Sequence, residues 1–147
     1  MFKVGIIGAG WIAEKMAEAL APLEDYCVYA IASRSIGKAT EFAGRWNIPK
    51  AYGSYEDMVK DNDVDLVYIA TPHSHHFPHA MLALNAGKPV LVEKAFTANA
   101  AEAEELIETA RSKGLFITEA IWTRYMPLSH KVKEIMESGI IGKPRVI

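Results

Sequence analysis

The stretch KVGIIGAGWIAEKMA, residues 3 to 17, runs an apolar segment directly into Gly8 and Gly10 and then into a helix-forming sequence. A strand that must turn into a helix within a few residues narrows the chain to α/β architectures assembled from such units. Gly8-x-Gly10-x-x-Ala13 has the spacing of a dinucleotide-binding turn. In that pattern the first glycine permits the tight turn, and the second lets backbone N–H groups approach a pyrophosphate. The small third residue, here Ala13, keeps helix and strand close. Small residues also occur in ordinary turns, so the pattern gains its meaning from the strand before it and the helix after it.

The remaining sequence repeats the alternation. Residues 2–7 predict a first strand and 12–21 a helix that Pro22 closes. Further strands are expected at 28–32, 51–52, 66–70, 89–92 and 115–120, the fourth apolar throughout as in a sheet covered on both faces. Between and after them the pattern predicts helices over 35–46, from Ser54, over 75–85, over 99–113 and over 128–137. Ser54-Tyr55-Glu56-Asp57 and Asn99-Ala100-Ala101-Glu102 read as capped helix starts, and Gly87, Gly114 and Gly139 as stops. Six strands separated by helices make two βαβαβ halves. The fold expected is α/β, a doubly wound parallel sheet (Rossmann) with strand order 3-2-1-4-5-6. Such a sheet binds ligands beyond the carboxyl ends of its strands, and the distinctive residues fall there. Gly8-Ala9-Gly10 follows the first strand, Ser33-Arg34 the second and Thr71-Pro72-His73 the fourth. Glu93-Lys94 follows the fifth and Trp122-Thr123-Arg124 the sixth.

At 147 residues, half of them hydrophobic, the chain can bury one ordinary core. With 16 Lys+Arg against 18 Asp+Glu, nothing points to nucleic acid or an anionic membrane surface as a partner. The single Cys27 cannot make an internal disulfide and reads as a small buried residue, which suits a reducing compartment. The run ahead of the glycine turn is too short for a signal peptide or a membrane span, so a soluble cytoplasmic domain is expected. No repeat, low-complexity segment or internal linker is visible.

The end of the second strand decides which dinucleotide is expected. It reads Ala32-Ser33-Arg34-Ser35, where an NAD site usually places an Asp or Glu for the ribose hydroxyls. A carboxylate would repel a 2′-phosphate, whereas Arg34 can pair with one through two charge-assisted bonds. Lys38 lies one helical turn on and could add a second cation. The bland alternative is a solvated Arg and Lys on a surface turn; NADP is the expected cofactor and NAD the alternative.

With Glu93-Lys94 the pattern resembles the N-terminal half of the glucose–fructose oxidoreductase, inositol dehydrogenase and MocA family. The segments IPKAYGSYEDM (48–58), NAAEAEELIETARSKGLF (99–116) and EAIWTRYMP (119–127) carry the likeness, which runs from Phe2 to the C-terminus without a large gap. The resemblance implies that Ile7, Gly8, Trp11 and Ile12 border the pyrophosphate, with Gly10 in the same turn, and that Arg34 and Lys38, beside Ser33, meet the 2′-phosphate. Thr71, Pro72 and His76, with His73 between them, match a stretch beside the nicotinamide ribose. Glu93 and Lys94 match a Glu-Lys-Pro motif whose lysine sits next to the reacting carbon, and Trp122 and Arg124 match residues bordering the nicotinamide and substrate. Chemistry agrees for Lys94. Hydride transfer at an alcohol carbon needs a group that stabilises charge on the oxygen and helps move its proton. Without the likeness, Lys94 would read as a solvated lysine paired with Glu93.

Two departures stand out. Ala95 replaces the proline of the motif, and the family continues into a C-terminal α/β domain that supplies much of the substrate site and the dimer face. Residues 1–124 read as the dinucleotide domain, and 125–147 as a connecting helix and the start of that second domain at GKPRVI. The chain alone is therefore expected to bind cofactor and to turn over little or no substrate. The parent protein is expected to be a homo-oligomer, dimer or tetramer, acting on a sugar, diol or other secondary alcohol.

Two rivals remain. HSHHFPH brings His73, His75, His76 and His79 together, and His75 and His79 share a helical face, as a metal-dependent hydrolase could use. No cysteine or acidic ligand lies nearby, so no metal site is expected. A nucleotide sensor without catalysis is the second alternative, against which Lys94 argues. Phe42 with Trp46 and Leu106 with Ile107 read as packing residues, EAEELIE as a solvated acidic face, and Tyr125 does not match the family's tyrosine.

Overall fold

The computed structural model describes residues 1–143 and Arg145, so the expected start of a second domain at 142–147 lies partly outside the described residues. Six strands, β1 (Phe2–Ile7), β2 (Tyr26–Ala32), β3 (Lys50–Tyr52), β4 (Leu66–Ile69), β5 (Val90–Val92) and β6 (Ile117–Glu119), form one parallel sheet in the order β3-β2-β1-β4-β5-β6. The helices are α1 (Trp11–Leu20), α2 (Ile36–Trp46), α3 (Tyr55–Val59), α4 (His76–Asn85), α5 (Ala100–Ser112) and α6 (Pro127–Ser138). A 3-10 turn, His73–His75, precedes α4, and another, Trp122–Tyr125, precedes α6. Among the described residues no helix is long and apolar enough to cross a membrane.

The caps set the helix starts. The side chains of Ser35, Ser54 and Asn99 accept from the backbone N–H of Lys38, Asp57 and Glu102 respectively. Glu102 returns the contact through Ala98 N–H at 3.1 Å, one residue before the cap itself. Asn47, in the left-handed region at φ 53°, ends α2.

Period-two alternation splits the core. Ile7, Ala32, Val67, Ile69, Val90 and Val92 pack against Met58, Ala80, Leu84 and Leu106 of α3, α4 and α5. Val4, Ile6, Ile31, Tyr68 and Ala70 face the other way, against Ala13, Ala39 and Phe42 of α1 and α2. That second layer stops short. Beneath β4, β5 and β6 it leaves an apolar hollow of about 800 Å³, bounded by Met16, Leu66, Leu91, Phe116 and Met126. α6 buries no residue; Leu128 is 67% exposed and Val132 48%. Cys27 is half-buried rather than buried, because the first half of β2 runs beyond the packing that covers its last three residues.

Candidate functional site

The turn after β1 is built around Gly8. Its φ is +104°, and a Cβ there would stand 2.7 Å from the Ala70 carbonyl oxygen. Gly10 differs. Its φ of −104° suits any residue, and a Cβ would meet nothing within 4 Å. No side chain caps the first turn of α1, so its amide donors are left to solvent or to an anion. Fully buried Ala13 presses α1 onto the sheet, and Ile7 is fully buried beneath the turn, leaving only its backbone to border a ligand.

Over the carboxyl ends of β1, β4, β5 and β6 opens a cavity of about 490 Å³, lined by Trp11, Ile12, Thr71, Pro72, His73, His76, Glu93, Lys94 and Trp122. Each of these was named from sequence. Trp11 and Trp122 are 70% and 63% exposed and form its rim. Ile12, Glu93 and Trp122 also border the larger hollow. The smaller cavity is the candidate site, since it adjoins the uncapped helix start and holds the polar groups, whereas the hollow is a bare sheet face. Ser33, Arg34 and Lys38 lie elsewhere, at the end of β2 and start of α2, where Arg34 and Lys38 are exposed and make no ion pair among the described residues. Ser33 Oγ accepts from Ser35 N–H at 3.4 Å. Arg124 is exposed in the turn before α6 and lines neither cavity.

His76 is fully buried, and its ring ties two loops together. Nδ1 lies 2.7 Å from the Ala95 carbonyl oxygen and Nε2 lies 2.9 Å from that of Thr71. The Lys94–Ala95 peptide is cis. Phe96 N–H donates to Glu119 Oε1 at 2.8 Å, and Lys94 N–H donates to Glu93 Oε2 at 3.1 Å. Exposed Lys94 thus projects from a turn held on both sides. His79 places Nδ1 3.0 Å from Thr71 Oγ1 and stacks edge-on to Tyr55. Burial, with the nearby His75, lowers its pKa. His76 and His79 therefore spend ring nitrogens on carbonyl and hydroxyl oxygens, His73 and His75 pack ring to ring against them, and no three metal-ligating side chains converge among the described residues.

Three contributors escaped the sequence reading: Tyr68, whose hydroxyl donates to Glu93 Oε1, Glu119, and the carbonyl of Ala95. A lone hydroxyl inside the apolar run LVYIA was the available signal for Tyr68.

Residues 2–120 match an oxidoreductase family with an NAD-binding Rossmann fold, that of glucose–fructose oxidoreductase, inositol dehydrogenase and MocA. The chain is 46% identical over 144 residues to mouse trans-1,2-dihydrobenzene-1,2-diol dehydrogenase, covering 97% of this chain and 43% of that protein. It is 49% identical over 152 residues to the D-xylose 1-dehydrogenase (NADP(+)) of Hypocrea jecorina, covering 95% and 39%. Among solved structures, a 3-ketoreductase variant from Actinomadura kijaniata in complex with TDP-benzene and NADP superposes with a TM-score of 0.90 at 33% identity, over 98% of this chain and 46% of that one.

Proposed function

Since the chain belongs to the glucose–fructose oxidoreductase, inositol dehydrogenase and MocA family of NAD-binding oxidoreductases, we propose that it is the cofactor-binding part of an NADP-dependent dehydrogenase acting on a sugar, diol or other secondary alcohol. Residues 1–124 form the dinucleotide domain in this reading, and 125–147 lead to the region that the relatives possess beyond it. The parent protein works in the cytoplasm as a homo-oligomer.

One observation carries the reading: at Gly10 the uncapped start of α1 meets open space, with no side chain to cover its amide donors. Such a helix start suits an anion, and a glycine there lets a pyrophosphate approach the backbone. The residues present fit a dinucleotide. The turn at Gly8 and Gly10 with Trp11 and Ile12 would hold the pyrophosphate, Ser33, Arg34 and Lys38 the 2′-phosphate, and Thr71, Pro72, His73 and His76 the nicotinamide ribose. When bound, NADP supplies the acceptor or donor of the hydride. Lys94 then stands where its ε-amine can hold the substrate oxygen and exchange a proton with it, while Trp122, on the rim of the cavity, borders the substrate.

Calorimetric titration of the chain with NADPH and NADH at two salt concentrations tests this reading. NADPH is expected to bind more tightly and with the stronger salt dependence, and Arg34→Ala to weaken NADPH alone by about tenfold or more. Equal or tighter NADH binding would overturn the NADP assignment.

A further inference from the structure

One hydroxyl at the site has no part in the steps above. Tyr68 lies in the middle of β4, 2% exposed, with its ring on the wall of the apolar hollow rather than of the cofactor cavity. Its hydroxyl donates to Glu93 Oε1, while Glu93 Oε2 accepts the Lys94 amide. The register explains the meeting. Tyr68 pairs with Leu91, and Glu93 is two residues further along the same strand direction, so both side chains leave one face of the sheet. Burial, reinforced by the Glu93 hydrogen bond, raises the tyrosine pKa, so the phenol remains a donor at any ordinary pH.

We propose that Tyr68 is a positioning residue for the nicotinamide half of the site: its hydroxyl keeps the Glu93 carboxylate turned back onto the Lys94 amide and so fixes the turn that carries Lys94. The far side of that turn is already held, by His76 on the Ala95 carbonyl and by Glu119 on the Phe96 amide. Tyr68 supplies the near side. It does so across the sheet face, from outside the cavity, and needs no contact with cofactor or substrate. Phenylalanine in its place keeps the ring and the packing, but leaves Glu93 Oε1 without its donor and free to turn toward water. The inference rests on the cofactor reading above, and the test separates the two.

The test uses the chain itself, as Tyr68→Phe, Glu93→Gln and the double variant. In amide NMR spectra, Tyr68→Phe is expected to shift the Lys94 resonance and speed its hydrogen exchange, while core amides of β1 keep their protection. Titrations then compare adenosine 2′,5′-bisphosphate, which reports the adenosine end only, with NADPH. Tyr68→Phe should leave the bisphosphate affinity unchanged, weaken NADPH by about tenfold, and add nothing to the loss caused by Glu93→Gln. An unmoved Lys94 amide, equal weakening of both ligands, unaltered NADPH binding, or additive losses would each overturn the proposal. If the unsubstituted chain binds neither ligand, the cofactor reading falls and this one with it, whatever the spectra show.

Discussion

At the scale of residues, the two glycines of the first turn make opposite demands. Gly8 is required by the fold: alanine there must take a left-handed φ and meet a carbonyl oxygen at 2.7 Å. Gly8→Ala is expected to cost about 1–3 kcal/mol in stability, seen as a lower midpoint in urea. Gly10→Ala should cost no more than about 1 kcal/mol, the difference between the two residues at a helix N-cap, yet reduce NADPH affinity by about tenfold or more. Calorimetry with urea titration of both variants checks the pair; loss of stability without loss of affinity at position 10 would contradict the site. Much of this was legible in the sequence, because glycine spacing and the residues after each strand are local facts. The Tyr68–Glu93 pair was not, since it depends on the register between β4 and β5.

Among the elements, helix starts were legible where a capping sequence announced them, at Ser54 and Asn99; Ser35, expected as the first residue of its helix, is instead the cap of α2. The start of α4 was less so: His73–His75 winds first as a 3-10 turn, with His75 N–H donating to the Pro72 carbonyl at 2.8 Å. The helix over 128–137 was equally visible, yet its sequence alone says nothing of whether a partner is there. In the structure Leu128, Val132 and Ile135 lie on one stripe and remain exposed, whereas Leu84 of α4 is fully buried. Leu84→Ala should therefore cost about 2–5 kcal/mol, and Leu128→Ala no more than about 0.5 kcal/mol in this chain. Urea midpoints of the two variants decide it. An equal loss at Leu128 would mean that α6 packs in solution.

For the whole molecule, the alternation of strands and helices was enough to give the topology, because right-handed crossovers leave little choice once two βαβαβ halves are granted. What alternation cannot show is how far each helical layer extends, hence the bare face beneath β4, β5 and β6. Resistance to acid is also a property of the assembled molecule. Away from the cavity, Asp61 is 9% exposed and accepts from Tyr52 at 2.6 Å and from Lys50 at 2.9 Å. Burial works against its ionisation, but those two donors hold its pKa at about 2, below the usual 3.8. Since the folded value is depressed, the stabilisation is complete above pH 3.8 and fades as pH falls through 2. Asp61→Asn should thus cost about 2 kcal/mol at neutral pH and progressively less in acid, read from denaturation midpoints between pH 7 and pH 2. A loss that does not vary with pH would assign the effect to packing.

The place of β1 bears on how such a chain is made. It leaves the ribosome ahead of both its neighbours, yet it lies inside the sheet, with β2 on one flank and β4 on the other. Lys3 N–H finds the Asp65 carboxylate across 62 positions of sequence. Until that later stretch has been synthesised, one edge of β1 offers unpaired amides to any passing strand. During translation β1 thus waits, half paired, for β4, and that interval is when a chaperone has most to protect.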